Sequence, residues 1–494
     1  MLFQELLKSV EVHAKDGPQG TVLTGITHDS RKVRPGFLFI AVQGFKHDGN
    51  EYIHQAVEKG AVAVVAEKVA SIPSTVAWAL VADSRQALAL MSASFYGNPT
   101  TNMRMLGVTG TNGKTTTTNL IAAVLDEAGH KTGLIGTIHN RIGARKLLVS
   151  HTTPESADLQ ELLHEMVTER VSDCVMEVSS HALALHRVDG CEFDMAVFTN
   201  LTQDHLDFHH DMQSYLEAKQ VLFRKLAEPG AKRGKCAVVN TDDAYAGSII
   251  EAASGVEVHT YGIKNFADVR AEDVSVGARG VSFTVIGKWG RWPLDLRITG
   301  LFNVYNTLAA FTACAAMGIP VEVIKKALEG MQGVPGRFEL VDAGQDFAVI
   351  VDYAHTPDGL DNVLKTAREI TEGKLITVFG CGGDRDRTKR PLMSGIAAGY
   401  SDYILVTSDN PRTEAPLDII RDIEKGLEPV AQKGSYTVEP DRRRAIRLAV
   451  AMARKGDVVV IAGKGHENYQ IIGTQKYPFD DRSEALVALK ELQA

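Results

Sequence analysis

Residues 107–116 read Gly107-Val108-Thr109-Gly110-Thr111-Asn112-Gly113-Lys114-Thr115-Thr116. An apolar run from Met105 leads into this glycine-rich turn, and a helical pattern with Leu120, Ile121, Val124 and Leu125 follows it. Strand, turn and helix N-terminus in that order aim backbone N–H groups at an anion. Lys114 adds a cation for β- and γ-phosphates, and the Thr115 hydroxyl suits Mg²⁺. The spacing departs from GxxxxGK[ST], because Val108 stands where the first glycine belongs. Phosphate binding is the expectation, and the alternative is a glycine-rich turn before an ordinary helix.

Before this stretch, short apolar runs alternate with turn signals. Phe37 to Val42 ends in Gln43-Gly44, and Ala61 to Ala66 follows a helical pattern from Tyr52 to Lys59, which reads as a small α/β unit. Gly97-Asn98-Pro99 breaks the pattern, since proline disfavours helix at the residue before it. After the turn, strand candidates at Cys174 to Val178, Met195 to Phe198 and Ala237 to Val239 each end in polar residues. Period-2 patterning sets Leu294, Leu296 and Ile298 on one strand face, a helix is expected from Asn303 to Met317, and Gly333-Val334-Pro335-Gly336 marks a second boundary. In the last third, Phe347 to Val351, Leu375 to Phe379, Tyr403 to Val406 and Val458 to Ile461 each open into a polar or glycine-rich loop. That alternation implies a mostly parallel sheet with ligands at the strand carboxyl ends. The expectation is an α/β chain of three domains, 1–99, 100–333 and 334–494.

Length and composition agree. A chain of 494 residues suits about three domains, and 44% hydrophobic with 23% charged residues is ordinary for a folded protein. Lys and Arg total 53 against 61 Asp and Glu, a formal charge of -8, which argues against a nucleic-acid partner. No run reaches the roughly 18 apolar residues of a membrane span, and residues 1–17 lack the build of a secretion signal. The five cysteines are scattered without a CxxC pair, so reduced thiols and a cytoplasmic location are expected.

Several side chains fall where chemistry is done. Glu177 closes an apolar strand, the place for an acidic metal ligand beside a nucleotide. The segment Thr199 to His209, with His205, gathers further groups compatible with metal or phosphate. Lys219, by its own residues, reads as a surface lysine on an amphipathic helix. Asn303 and Asn306 share a helix face, either to read a purine edge or as a capping pair. Asp352 to Asp358, Gly380 to Arg387, Asp409-Asn410-Pro411-Arg412 and Gly463 to Glu467 all follow strands. An arginine with a nearby glutamate there can clamp a zwitterion, or simply form an ion pair closing two loops.

Taken in order, GTNGKTT (110–116), EVSSH (177–181), DHLDFH (204–209), the Lys219 segment, GLFNVYN (300–306), PGRFE (335–339), DYAHTPDGL (352–360), GCGGDRD (380–386), DNPR (409–412) and GKGHE (463–467) resemble the ATP-dependent Mur ligases of bacterial cell-wall synthesis. The resemblance spans essentially the whole chain. DNPR with GKGHE is most similar to the branch that adds meso-diaminopimelate to UDP-N-acetylmuramoyl-L-alanyl-D-glutamate. It implies an N-terminal domain holding the UDP end, a central P-loop ATPase with a parallel sheet, and a C-terminal Rossmann-like domain bringing the amino acid. It implies a cytoplasmic monomer with no membrane span, serving peptidoglycan synthesis and hence cell shape and division.

The resemblance also implies roles. Gly110, Thr111, Asn112, Gly113, Lys114, Thr115 and Thr116 would hold ATP, with Asn303 at the adenine and Arg337 and Asp352 also on the nucleotide. Thr115, Glu177, His205 and Lys219 would bind Mg²⁺, Lys219 as a CO2-derived carbamate. Lys114, Glu177, His205 and Lys219 would form the catalytic group. Ser30 and the Gly44-Phe45-Lys46-His47 turn would meet the UDP. Thr152, Thr153, Ser179 and Arg187 would meet the muramoyl dipeptide, with Leu185 standing where the family often has glutamine. Arg385, Asp409, Asn410, Pro411, Arg412, Gly463 and Glu467 would take diaminopimelate, Arg412 on its distal carboxylate. Folylpolyglutamate synthetases are the nearest rival, disfavoured by DNPR and the extra N-terminal domain. A P-loop switch is the rival from another class.

Overall fold

The computed structural model describes residues 1–494 except Gln19, Phe45, Lys46, 69–71, Ser150, 428–434 and Ala494. Phe45 and Lys46, expected near the UDP, therefore lie outside the described residues. Two compact units emerge, Met1–Val269 with Ala309–Val323, and Arg270–Leu308 with Ile324–Ala494.

The first unit begins with a five-stranded sheet in the order Ala14–Asp16, Ala77–Leu80, Ala61–Ala66, Phe37–Ile40, Gly25–Thr27. Only its first strand runs antiparallel to its neighbour. The helix expected at Tyr52–Lys59 is two pieces. The Asp48 side chain caps a tight turn at Gly49–Tyr52, and an α-helix then covers Ile53–Glu58. The unit's second sheet carries an antiparallel hairpin, Asn140–Ile142 and Arg145–Leu147, beside a run of parallel strands in the order Glu257–Gly262, Cys236–Asn240, Met195–Phe198, Arg104–Thr109, Asp173–Glu177, Thr132–Ile135. These strands are parallel, and their buried runs explain why they read as continuous apolar stretches rather than alternating ones. Helix Lys114–Glu127 lays Leu120, Ile121, Val124 and Leu125 into the core.

In the second unit, Gly280–Gly287 and Gly290–Leu296 pair antiparallel. Ile298, expected in that strand, lies beyond it, because the ladder ends at the Val281–Leu296 pair. Helix Leu301–Ala316 follows. A six-stranded sheet then runs Glu339–Leu340, Ala348–Asp352, Val458–Ala462, Leu375–Phe379, Tyr403–Val406, Tyr436–Val438. All but its first strand are parallel, as the apolar runs required. The loops after residues 352, 379, 406 and 462 thus emerge at one edge, the place where open parallel sheets bind ligands.

The five cysteines are buried, and no two of them form a disulfide. Burial pushes the thiols of Cys191 and Cys381 up to about 12, and those of Cys174 and Cys314 higher still. Among the described residues no helix is long and apolar enough to cross a membrane.

Candidate active site

Strand register builds the candidate site of the first unit. Val108 lies opposite Glu177 and Thr109 opposite Phe198, so the P-loop leaves the sheet between the chain at Glu177 and the chain at Thr199. Gly113 has φ 84 at the N-cap of helix Lys114–Glu127, a left-handed conformation that glycine adopts without strain. Gly110 is required by space as well: a Cβ there would collide with the Thr199 hydroxyl. The next segment grips the loop. Thr199 Oγ1 donates to the Asn112 carbonyl at 2.6 Å, and Asn112 N donates to Asn200 Oδ1 at 2.9 Å. Thr111 N donates to the Asn200 carbonyl at 2.9 Å, and the Thr111 hydroxyl meets the Tyr215 hydroxyl at 3.1 Å. Lys114 Nζ donates to the carbonyls of Gly110 and Thr111, both at 2.8 Å, which holds the cation over the loop. Thr116 is buried behind it.

Glu177 is 1% exposed. Its carboxylate accepts the Thr115 hydroxyl at 2.9 Å, Thr137 N at 2.8 Å and the Thr137 hydroxyl at 3.0 Å. A hydroxyl and a carboxylate side by side are the hard oxygen donors that Mg²⁺ takes from a protein when phosphates and water complete its shell, so these residues fit the ion. Among the described residues no three His, Cys, Asp or Glu side chains converge as a metal site. His205, expected with Glu177, instead stands 3.4 Å from Asp204 and edge-on to His181, at a left-handed φ of 55.

Lys219 is 1% exposed, with its ammonium 4.4 Å from the centre of the Tyr215 ring. This overturns the surface-lysine reading of its segment. Tyr215, Lys219, Leu222 and Leu226 form one buried helix stripe, so the lysine interrupts an apolar pattern that was already visible in the sequence. Burial, followed by the nearby Lys114 charge, pulls the Lys219 amine well below the ordinary lysine range.

The residues expected at the dipeptide surround Glu177. The Thr152 hydroxyl meets that of Thr137 at 3.0 Å, and Thr153 Oγ1 donates to the Glu177 carbonyl at 2.8 Å. Ser179 caps helix Ser180–Ala184 and donates its N–H to Thr153 Oγ1. Arg187 donates to the Thr153 carbonyl at 3.0 Å and pairs with Glu155, while its buried Nε has no acceptor. Ser30 sits apart from this group, its hydroxyl on Gln55 at 2.7 Å.

The second unit carries the residues expected at the adenine and at the amino acid. Asn303 Nδ2 donates to the Thr299 carbonyl at 2.8 Å, and Asn306 Nδ2 to Asn303 Oδ1 at 3.0 Å. Arg337 lies 5.0 Å above the Tyr353 ring with Nε lacking an acceptor. Both oxygens of Asp352 are taken by backbone: Phe338 N at 2.7 Å and Ala354 N at 2.8 Å. Its carboxyl is raised, since burial outweighs the Arg337 charge and those two donors.

At the amino-acid end, Asn410 Nδ2 donates to Glu467 Oε2 at 2.9 Å, while Asn410 Oδ1 accepts Lys464 Nζ at 3.1 Å and Ile471 N at 2.9 Å. Arg412 Nη1 donates to the Gly383 carbonyl at 2.9 Å, Pro411 lies against Gly383, and Gly463 lies against the buried Asp409 carboxylate. Arg385 is exposed and, among the described residues, donates only to its neighbour, the Asp384 carbonyl, at 3.3 Å.

Family models match over three segments. These are "Mur ligase family, catalytic domain" at residues 22–96, "Mur ligase middle domain" at 108–314, and "Mur ligase, glutamate ligase domain" at 336–465. The chain is 48% identical over 490 residues to a UDP-N-acetylmuramoyl-L-alanyl-D-glutamate--2,6-diaminopimelate ligase of Syntrophomonas wolfei, covering 99% of each chain. The chain belongs to the Mur ligase family. A Mur ligase of the same name from Caldanaerobacter subterraneus is 49% identical over 482 residues, covering 98% of each. A solved structure of a ligase with that name matches with a TM-score of 0.72 at 33% identity, covering 100% of this chain and 99% of the other.

Three polar residues of this Mur ligase escaped the sequence reading. Thr137 follows the strand Thr132–Ile135, which was not among the strands singled out. Glu155 was given no role, and Lys464 entered only as part of GKGHE. Lys464 is 0% exposed and donates to Glu467 at 3.0 Å. Its two flanking glycines and its place after a buried strand were the available signal.

Proposed function

We propose that the protein is an ATP-dependent amide ligase joining meso-2,6-diaminopimelate to the D-Glu γ-carboxylate of UDP-N-acetylmuramoyl-L-Ala-D-Glu, through an acyl phosphate, in peptidoglycan precursor synthesis. The observation that carries this reading is the 48% identity across 99% of both lengths to a relative bearing that name. The local geometry is consistent with it: a phosphate loop with Lys114 held over it, and a second loop set presenting Arg412 and Glu467.

An unactivated carboxylate resists amine attack, so the γ-carboxylate first takes the γ-phosphoryl of ATP. Backbone N–H groups at the helix start, residues 113–116, and Lys114 hold the triphosphate and spread the developing charge. Thr115 and Glu177 would hold Mg²⁺, joined by His205 and by Lys219 as a carbamate, and the ion would supply charge neutralisation for phosphoryl transfer when bound. A lowered lysine pKa supports the carbamate, because only the neutral amine attacks CO2. Asn303 meets the adenine, Arg337 the nucleotide, and Asp352 acts by fixing the Phe338 backbone beside Arg337. Thr152, Thr153, Ser179 and Arg187 hold the dipeptide, with Ser30 towards the UDP. Glu467, with Asp409, takes the ammonium of diaminopimelate, while Arg412 and Arg385 take carboxylate. Asn410, Pro411 and Gly463 shape that pocket. The amine then displaces phosphate as the amide forms, and no side-chain nucleophile is required.

The reading includes a cytoplasmic monomer with domains at 1–99, 100–333 and 334–494, and one family segment falls within each of those ranges. The test is direct. The protein is incubated with the UDP-muramoyl dipeptide, ATP, Mg²⁺ and either diaminopimelate or lysine, and the products are weighed. A tripeptide mass with diaminopimelate is expected, and no incorporation of either amino acid overturns the reading.

A further inference from the structure

The loops bearing Arg385 and Arg412 are tied together by residues outside the proposed ligand set. Arg390, at the start of helix Lys389–Tyr400, has a fully buried side chain that donates to both oxygens of Glu414, at 2.8 and 3.0 Å, and to Asp422 at 3.0 Å. Glu414 Oε1 also accepts Asp384 N at 2.7 Å. Asp384 in turn accepts the Thr413 hydroxyl at 2.7 Å and Thr413 N at 3.2 Å. Gly383 N donates to the Asn410 carbonyl at 2.9 Å, and Gly383 approaches Pro411 so closely that a Cβ would collide with its carbonyl.

Asp384 and Arg412 both hold left-handed backbone, with φ 54 and 52. Non-glycine residues keep such conformations only where the surroundings over-determine them. Glu414 supplies that determination from within the fold. Both of its oxygens accept from within the fold, from Arg390 and from the Asp384 amide.

We infer that Glu414, locked by Arg390, is a positioning residue that fixes the Asp384–Arg412 loop pair and thereby the aim of the Arg412 guanidinium at the amino-acid substrate. The inference rests on the ligase reading above. Bidentate recognition tolerates little displacement, so loosening this strap acts on amino-acid affinity and leaves the nucleotide steps alone.

The test uses the full-length chain carrying Glu414→Gln, with Thr413→Val as a second variant at an exposed position that leaves the buried ion pair intact. KM for meso-diaminopimelate is expected to rise about tenfold in Glu414→Gln and about threefold in Thr413→Val. KM for ATP and for the UDP-dipeptide, and kcat at saturating diaminopimelate, are expected to stay within about twofold. A wild type that incorporates diaminopimelate while both variants keep its KM overturns the positioning role alone. Equal rises in all three KM values overturn it too, since they report general loosening. A wild type that incorporates neither amino acid overturns the parent reading instead.

Discussion

Arg412→Ala tests the amino-acid end most sharply. Arg412 Nη1 is occupied by the carbonyls of Gly383 at 2.9 Å and Asn410 at 3.4 Å. Among the described residues, its Nε and Nη2 have no protein acceptor, which leaves one fork edge for a carboxylate. Two charge-assisted hydrogen bonds at the lower value of about 1.5 kcal/mol each total about 3 kcal/mol, slightly more than a hundredfold in kcat/KM. Lysine lacks the distal carboxylate and forfeits that amount, so the wild type should prefer diaminopimelate by at least about a hundredfold. In Arg412→Ala, kcat/KM for diaminopimelate should fall by about that factor while the value for lysine moves less than about threefold. Arg412→Lys should fall between, keeping the charge but losing the fork. The assay is phosphate release at saturating ATP and UDP-dipeptide, with each amino acid varied in turn. A discrimination ratio unchanged in Arg412→Ala, or a matching rise in KM for ATP, would refute the reasoning.

Other outcomes follow from the same geometry. Lys219→Arg keeps a cation but cannot form a carbamate, so turnover should drop at least about a hundredfold. Labelled bicarbonate should give a carbamate ¹³C resonance in the wild type only, and a variant rate within about threefold of wild type sinks the proposal. Gly110→Ala should weaken nucleotide affinity by at least about tenfold in a fluorescent-nucleotide titration, because the added methyl meets Thr199; an unchanged Kd counts against the P-loop assignment. Asp173 is buried, which works against its charge, but hydrogen bonds from Ser172, Arg104 and His130 prevail and hold its carboxyl below the usual range. A carboxyl lowered in the folded state contributes stability that is full above its unfolded pKa and lost as pH falls through the folded one. Asp173→Asn should therefore cost about 2 kcal/mol in urea unfolding at pH 7, with Arg104 partly solvated. The gap between variant and wild type should narrow below the ordinary aspartate pKa of 3.8. A gap that stays constant on acidification would show that the carboxylate charge is not its source.

What could be read from the chain was what short range determines. Each run such as Leu375–Phe379 or Val458–Ala462 is buried throughout because helices cover both sheet faces, and the loop after it inherits a predictable place at the sheet edge. Local competition blurred the edges. Asp48 captured the chain as a tight turn ahead of Ile53, and Ile298 fell outside a strand whose partner had already ended. Lys219 was misread on its own because a lysine's usual place outweighed the apolar stripe around it. The supports of the site stayed hidden for a different reason. Arg390 meets Glu414 across 24 residues, Arg187 meets Glu155 across 32, and Glu177 meets Thr137 across 40, and no periodicity encodes such pairings. They exist only once the strands fix which loop ends are neighbours.

The thiols sealed inside the fold have a practical consequence. Maleimide chemistry needs an accessible thiolate, and the five native sulfurs are buried, four of them with ionisation pushed far above neutral pH. A single cysteine introduced on an outer helix would then be the one place a fluorophore attaches, with no need to strip the wild-type residues first. Dye pairs placed this way could time each turnover on single molecules.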